Sequence, residues 1–262
     1  MNKLPVSVII IAKNEASILP RCLESVKEWA SEIVAVINDC TDNTREILEG
    51  YGVRVYEHDW QGFVVQKNRA IQYANYDWMF SIDADEEVTP KMQQDIQNII
   101  EQNDNTISAV DFCRKTWFLG KWIKHGDWYP DRVIRLFRRD KAKYEGNFLH
   151  EKLVVYGKTK HSDSNLLHYS FPTMYLFLSK TDSFTRNFVM VNHNNKKFSY
   201  LSTIFRSFWK FFRCYFIKRG FLDGYPGFII AIQQAYSTFF KYNMLLENSL
   251  KANDSYLENE DK

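Results

Sequence analysis

Acidic side chains follow directly after an apolar run, at Asp83 and Asp85. The run at 78–82 has the length and composition of a buried strand, and Thr89 with Pro90 is typical of a helix start. If strand alternation persists, both carboxylates point to one side of the sheet edge where open α/β sheets bind ligands. Paired carboxylates with open positions suit Mg²⁺ or Mn²⁺ shared with substrate phosphates. The pattern predicts a metal–diphosphate site, with simple helix capping as the alternative.

Alternating strands and helices must position these acids. Apolar, β-branched runs predict strands, and apolar residues at helical spacing predict helices between them. The predicted strands are 6–12, 33–37, 53–56 and 78–82, and the predicted helices are 17–26, 41–50, 63–74 and one starting at Thr89–Pro90. This order implies βαβ units and a parallel sheet. Beyond it, 108–117 and 132–138 are predicted strands.

Composition narrows the class of protein. The chain has 262 residues, 45% of them hydrophobic, and a formal net charge of +2, which is typical of a globular protein. Four scattered cysteines indicate neither a zinc site nor a disulfide framework, so we expect a reducing cytoplasm. Because no run reaches the length of a membrane span and no secretory leader is present, we expect a soluble or surface-bound protein.

Two segments after the first hundred residues carry side chains of types that commonly bind ligands. The loop 120–130 is rich in Trp, Tyr, Gly and His, which indicates either an acceptor site or a small satellite core. The strand 132–138 and its end carry four arginines, which suit phosphates or form a solvated strand face. The four are Arg132, Arg135, Arg138 and Arg139.

The C-terminal third is basic and aromatic. No acidic residue occurs from Ser183 to Leu222, whereas eight Lys and Arg residues do. Aromatic residues recur at three- and four-residue steps, which predicts a basic amphipathic helix that lies on a membrane surface or packs as core. Nucleic acid is not expected as a partner, because its family motifs are absent. The aromatic residues are Phe205, Phe208, Trp209, Phe212 and Phe216.

Several motifs together resemble the inverting family 2 glycosyltransferases of GT-A fold, and more narrowly the bacterial lipopolysaccharide core glucosyltransferases that act on inner-core heptose. The resemblance covers nearly the whole chain except the acidic tail. It rests on the ordered segments VSVIIIAKNE (6–15), TDNT (41–44), QKN (66–68), SIDADEE (81–87), WYPDR (128–132), RLFRR (135–139), HE (150–151) and LDG (222–224).

The resemblance implies an α/β GT-A fold with a C-terminal helical extension. Residues 1–170 would form the catalytic domain, with a nucleotide-sugar half at 1–105 and an acceptor half at 106–170. Residues 171–250 would form a helical region that could associate with a membrane, and 251–262 a disordered acidic tail.

The resemblance also assigns roles to single residues. Glu151 would be the catalytic base, with Asp131 in reserve, and Asp85 and His168 would bind Mn²⁺ or Mg²⁺. The donor would contact a set of residues from several loops. That set is Ala12, Asn14, Glu15, Asp39, Lys67 and Asp83.

One segment departs from the family pattern. Relatives carry an aspartate at the end of the second strand before a Gly-Ser-Thr-Asp turn, whereas this chain has Ile37-Asn38-Asp39-Cys40. Asp39 or Asn38 would take over the uracil contact, which leaves the UDP preference open.

The implied reaction is inverting transfer of glucose from UDP-glucose to a lipid-linked saccharide at the cytoplasmic face of the inner membrane. A capsule or glycoprotein glycan transferase with another donor is the alternative within the same chemistry. Two alternatives belong to other functional classes. A metal-dependent nucleotidyltransferase would also require paired carboxylates at a strand end, and a non-catalytic membrane-surface protein would require only residues 183–222. The acidic Lys13-Asn14-Glu15 segment lacks the glycine-rich phosphate loop of nucleotidyltransferases.

Overall fold

The protein is described by a computed structural model that covers residues 3–147, 150–192 and 200–257. The chain divides into two compact units. The first comprises Met1–Lys115 and Asp131–Tyr169, and the second comprises Thr116–Pro130 and Ser170–Lys262.

Strands and helices alternate through the first half of the chain, and long helices dominate its end. The strands are β1 (Leu4–Ala12), β2 (Ala30–Ile37), β3 (Arg54–Glu57), β4 (Trp78–Ser81), β5 (Glu86–Val88), β6 (Ile107–Phe118), β7 (Lys121–Trp122), β8 (Asp131–Arg138), β9 (Ala142–Asn147), β10 (His150–Val155) and β11 (Lys158–His168). The helices are α1 (Leu19–Val26), α2 (Thr44–Gly50), α3 (Phe63–Tyr73), α4 (Pro90–Gln102), α5 (Met174–Asn192), α6 (Tyr200–Phe212) and α7 (Tyr225–Leu257).

The first unit is built on a mixed sheet with the strand order β3-β2-β1-β4-β8-β6-β11-β5. Its first four strands are parallel, as the βαβ pattern predicted. From β4 onward the pairings of β8 with β4 and β6, and of β11 with β5, are antiparallel. A separate antiparallel hairpin joins β9 to β10. The parallel half therefore ends where the predicted acidic residues begin.

β1 is the central strand, and both of its faces are covered. Val8 and Ile10 pack into one hydrophobic cluster, while Ile9 packs into the cluster on the other face. A strand buried on both sides needs a continuous apolar sequence, which is why the run at 6–12 lacks polar alternation.

The helix start predicted at Thr89 is confirmed, because the Thr89 hydroxyl accepts the backbone N–H of Met92 and Pro90 opens α4. Pro20 lies in the first turn of α1, where the missing backbone N–H of proline is tolerated, and α1 begins at Leu19, two residues after the start of the predicted helix 17–26. The strands β5, β7, β9, β10 and β11 were not predicted. β11 is mostly polar, so it carries no apolar run that would mark it as a strand.

The second unit contains α5, α6 and α7 with a core that includes Phe118, Phe177 and Ile230. The predicted amphipathic helix with aromatic residues from Phe205 to Phe216 corresponds to α6 and the π-helical turn at Arg213–Ile217 that follows it. The acid-free segment 183–222 also contains the end of α5. Residues 193–199 lie outside the described part. α7 continues to Leu257, into the segment predicted as a disordered tail, and residues 258–262 are also outside it.

Within this unit the Leu222-Asp223-Gly224 motif has a structural task. The buried Asp223 carboxylate accepts the backbone N–H groups of Lys124 and His125, at 3.0 and 2.8 Å. Trp128 packs on Phe118 and Phe171, which favours the satellite core over the acceptor site for this tryptophan. Among the described helices, none combines the length and the apolar character needed to cross a bilayer.

Candidate active site

A pocket of about 380 Å³ opens beside the carboxyl ends of β1 and β2, within the size range of small-molecule sites. Two of the predicted donor residues, Ala12 and Glu15, line it. Trp60 and Phe63 form one aromatic wall, with ring centroids 4.8 Å apart. An aromatic wall of this kind suits a planar ring, so the pocket has the size and chemistry to take a nucleobase.

Asn14 joins the loops that follow β1 and β2. It is exposed, has φ of 56°, and its Oδ1 accepts the backbone N–H of Thr41 at 2.8 Å. Nearby, Asp42 accepts the N–H and the hydroxyl of Thr44, and the hydroxyl bond lowers the pKa of Asp42. Asn14 therefore holds the loop geometry at the strand ends.

The segment that departs from the family pattern places its two polar residues differently. Asn38 is buried and lines the pocket. The Asp39 side chain is 71% exposed, lies 3.7 Å from the Lys13 ammonium and is not part of the pocket lining. Of the two candidates for the base contact, the structure brings Asn38 to the pocket and leaves Asp39 outside.

Asp83 lies in an ionic network with Arg135 and Lys67. β4 ends at Ser81, so the strand alternation from which the alignment of the Asp83 and Asp85 carboxylates was expected does not continue to these residues. Asp83 Oδ2 accepts Arg135 Nη2 at 2.5 Å, and its Oδ1 lies 3.5 Å from Lys67 Nζ. Burial opposes ionisation, but Arg135 and Lys67 together hold the pKa of Asp83 far below its usual range.

Arg135 carries the network into the sheet. Its Nη2 also donates to Glu86 Oε1 at 2.5 Å, and the Glu86 side chain has no solvent exposure. Burial raises the pKa of Glu86, against the opposing charge of Arg135. Arg114 lies 3.5 Å from Glu86 and binds Asp131 through Nε at 2.9 Å. The reserve base Asp131 is therefore engaged by a guanidinium.

Lys67 connects Asp83 to the predicted base. Its buried ammonium lies 3.2 Å from Glu151 Oε1 and 5.3 Å from the ring centroid of Tyr144. Burial lowers the pKa of Lys67, but Asp83 and the other neighbours outweigh it, so the net shift is upward and the ammonium is charged at neutral pH. Lys67 thus contacts both Asp83 and Glu151, which are far apart in sequence.

The Gln66-Lys67-Asn68 motif has three separate tasks on α3. Gln66 lines the pocket, and Lys67 reaches the two acids. Asn68 exchanges two hydrogen bonds with the backbone of Tyr144, at 2.9 and 3.0 Å, which fixes β9 against α3. Successive residues of one helix therefore connect the pocket, the acids and the hairpin that carries Glu151.

The two predicted metal ligands lie side by side. His168 Nε2 is 3.3 Å from Asp85 Oδ2, and the backbone N–H of Tyr169 donates to the Asp85 carbonyl at 2.8 Å. This contact follows from the antiparallel pairing of β11 with β5, in which His168 faces Glu86. An aspartate and a histidine from distant parts of the sequence thus meet at one sheet edge.

A divalent ion fits this pair only with help from a substrate. No group of three or more His, Cys, Asp or Glu side chains with metal-binding spacing occurs in 3–147, 150–192 or 200–257. Carboxylate and imidazole are both ligands of Mn²⁺, and Mg²⁺ is commonly held by one or two carboxylates plus substrate phosphates. Asp85 and His168 agree with a site that a diphosphate completes.

The sequence model of glycosyl transferase family 2 matches residues 7–164, which span the pocket and the ionic network. The chain is a family 2 glycosyltransferase. The predicted family is confirmed, as is the predicted α/β fold of GT-A type with a C-terminal helical extension. Family membership supports a glycosyltransferase enzyme over the two alternatives from other classes, a nucleotidyltransferase and a non-catalytic surface protein.

Named relatives of this glycosyltransferase cover most of its length. It is 28% identical over 245 residues to the lipopolysaccharide core biosynthesis glycosyltransferase LpsC of Rhizobium meliloti, which is 90% of each chain. It is 28% identical over 268 residues to an uncharacterized glycosyltransferase of Rickettsia typhi, covering 96% and 92%. The crystal structure of S. aureus TarS is similar over 94% of this chain and 91% of that one, with 13% identity and a TM-score of 0.44.

Four residues of the glycosyltransferase site were missed from the sequence. Trp60 lies between predicted elements and Phe63 at the start of a predicted helix, so neither position indicated a binding role. Arg135 was interpreted as a phosphate ligand or as part of a solvated strand face, and Glu86 was not singled out. An arginine flanked by Ile134 and Leu136 in a predicted strand is a signal for a buried ion pair, because a guanidinium in a sheet interior needs an acidic partner.

Proposed function

We propose that this glycosyltransferase moves glucose from UDP-glucose, with inversion, onto a lipid-linked saccharide of the lipopolysaccharide inner core. The reaction would take place at the cytoplasmic face of the inner membrane. The observation that carries the proposal is the Asp83–Lys67–Glu151 contact, which brings an acid from the end of β4 to the predicted base on β10. The choice of acceptor is supported by the similarity to LpsC over 90% of both chains.

Each group would have a defined role in transfer. The pocket lined by Trp60, Phe63 and Asn38 would hold the nucleoside. Asp85 and His168 would hold Mn²⁺ or Mg²⁺, which when bound neutralises charge on the departing diphosphate. Lys67 would orient Glu151, whose carboxylate would take the proton of the attacking acceptor hydroxyl. A single displacement at the anomeric carbon gives inversion.

Calorimetric titration with UDP-glucose tests the donor site. Wild-type protein is expected to bind more tightly with Mn²⁺ present than without it, because the diphosphate shares the ion with Asp85 and His168. Asp85→Ala is expected to weaken Mn²⁺-dependent binding by about 100-fold, because even groups that only support a metal ligand typically change metal affinity by about 10- to 100-fold. Asp140→Ala, a change of an exposed aspartate in the same unit, is the matched control and should bind like wild type.

Two results would contradict the proposal in different ways. If Asp85→Ala binds UDP-glucose as tightly as wild type does, Asp85 does not hold a metal ion that binds the donor. If the protein binds another nucleotide sugar but not UDP-glucose, it is still a sugar transferase, but its donor is different. That result would agree with the capsule or glycoprotein alternative. Because Asn38 lines the pocket and Asp39 does not, a donor with a base other than uracil is the first to titrate.

The aromatic wall gives a second prediction for the pocket. Trp60→Ala is expected to raise the Kd for UDP roughly 5- to 150-fold, since stacking of a base on an aromatic ring contributes about 1–3 kcal/mol. Binding of inorganic pyrophosphate should not change, because it lacks the base. Calorimetry with both ligands checks this, with Tyr156→Ala, an exposed aromatic of the same unit, as control. Equal loss for both ligands would place Trp60 outside the base site.

A further inference from the structure

α6 presents a row of large apolar side chains to solvent. The row continues into the π-helical turn at Arg213–Ile217, and its residues recur at steps of three and four, so they share one side of the helix. Leu201 is 82% exposed, Phe205 65% and Phe208 64%. We call this surface the aromatic face; it consists of Leu201, Ile204, Phe205, Phe208, Phe212 and Phe216.

The aromatic face is not needed to hold α6 in place. The helix packs through its opposite side, where Thr203 and Ser207 are buried and bonded within the helix, and Cys214 is fully buried in the core of the unit. Exposed apolar residues that occur singly are ordinary, but a contiguous row of six is typical of an interaction surface.

The segment that carries the aromatic face has a net positive charge. No acidic residue occurs from Ser183 to Leu222. At the end of α6, three cations contact the single buried carboxylate of Asp127, each at 2.9 Å, which leaves the group with an excess of positive charge. The three cations are Lys210, Arg213 and Lys218.

We propose that the aromatic face is a docking surface for an anionic lipid bilayer, with its rings in the boundary between headgroups and acyl chains. α6 has 13 residues, too few to span a bilayer but enough to lie along its surface. The cations beside it then meet anionic headgroups. The biological use of this surface rests on the proposed lipid-linked acceptor, whereas its binding to lipid does not.

The charge pattern favours a bilayer over a second copy of the chain. A two-fold symmetric contact places the same surface of both copies together. Here that contact would bring two positively charged segments against each other, and like charges across an interface cost several kcal/mol. An anionic bilayer instead supplies the opposite charge along the whole helix.

Flotation with vesicles of known composition tests the proposal on the full-length chain. Wild-type protein should bind phosphatidylcholine vesicles that contain roughly 30% phosphatidylglycerol, and bind pure phosphatidylcholine at least tenfold less. The double variant Phe205→Ser/Phe208→Ser should lower the partition coefficient about 100-fold, or about tenfold for each ring removed from the apolar boundary.

A matched pair of exposed rings on α5 provides the control. Tyr175→Ser/Phe184→Ser removes two rings that are 78% and 67% exposed, and it should change binding less than about threefold. Because all four rings are exposed, both double variants should keep the wild-type melting temperature and the wild-type affinity for UDP. Retained UDP affinity separates lost lipid binding from a failed donor site, since the vesicles contain no saccharide.

Three outcomes would overturn the docking surface. The first is absence of wild-type binding to anionic vesicles at low salt. The second is equal loss of binding in the α5 control, which would place lipid contact elsewhere in the unit. The third is self-association, seen by sedimentation velocity and abolished by Phe205→Ser/Phe208→Ser, without vesicle binding, which would assign the face to a second copy.

Discussion

Glu151→Gln is expected to lower kcat for sugar transfer by roughly 10²- to 10⁴-fold, the range that a general base contributes. The amide keeps the size of the side chain and can still accept a hydrogen bond from Lys67, at present 3.2 Å from Oε1. It cannot take a proton from the acceptor hydroxyl. Donor binding should therefore be unchanged, because the loss falls on the chemical step.

Steady-state kinetics and UDP calorimetry on the same preparation measure the two quantities. Glu145→Gln is the matched control, since Glu145 lies on the adjacent strand of the same hairpin, pairs with Lys143 and faces Lys152 across the ladder. It should keep wild-type kcat. If Glu151→Gln retains more than about a tenth of wild-type kcat, Glu151 is not the base.

In that case Asp131 is the next candidate for the base. Because Asp131 is also part of an ion pair, its variant must be tested for both activity and stability. Asp131 is bound by Arg114 through Nε and Nη2, at 2.9 and 2.8 Å. Asp131→Asn would weaken that ion pair, and Arg114 also lies near the buried Glu86. A kcat loss with unchanged thermal stability would indicate catalysis, whereas a parallel loss of stability would indicate an ion-pair role.

The parallel half of the fold could be predicted because its signals are local. A strand such as β1, which is buried on both faces, needs a continuous apolar run. A helix start such as Thr89-Pro90 is recognised from two adjacent residues. The antiparallel half gives weaker local signals. β11 is mostly polar and is held by pairing with β5, a strand more than sixty residues earlier in the chain.

The candidate site divides in the same way. Ala12, Asp83 and Asp85 lie at ends of predictable strands, so their placement at one sheet edge could be anticipated. The contact of His168 with Asp85 depends on β11, which no local pattern marks, and the pairing of these two residues came only from family resemblance. The contact of Glu151 with Lys67 depends on β10 and was not predicted. Arg135 was recognisable as a cation, but its partners were not, because ion pairing across strands depends on register.

Arg135→Met is expected to lower the free energy of unfolding by about 3–5 kcal/mol, the effect of removing one partner of a buried ion pair. Arg135 Nη2 donates to both Asp83 and Glu86, so its loss leaves these two carboxylates with the more distant cations Lys67, 3.5 Å from Asp83, and Arg114, 3.5 Å from Glu86. Urea unfolding at pH 7 measures the change. Arg45→Met is the control, because Arg45 pairs with Glu49 and Glu57 on the surface and should contribute less than about 1 kcal/mol.

The pH dependence of the Arg135→Met defect identifies its cause. Burial already raises the pKa of Glu86 in the folded state, and removal of the guanidinium raises it further. A folded-state pKa above the unfolded value means that stability increases as pH falls, until the unfolded carboxyl also protonates near its ordinary pKa of about 4.3. The deficit of Arg135→Met should therefore shrink between pH 7 and pH 5, and Glu86→Gln in that background should recover part of it at pH 7. A deficit that stays constant with pH and is not relieved by Glu86→Gln would mean that lost packing, rather than an uncompensated buried charge, destabilises the variant.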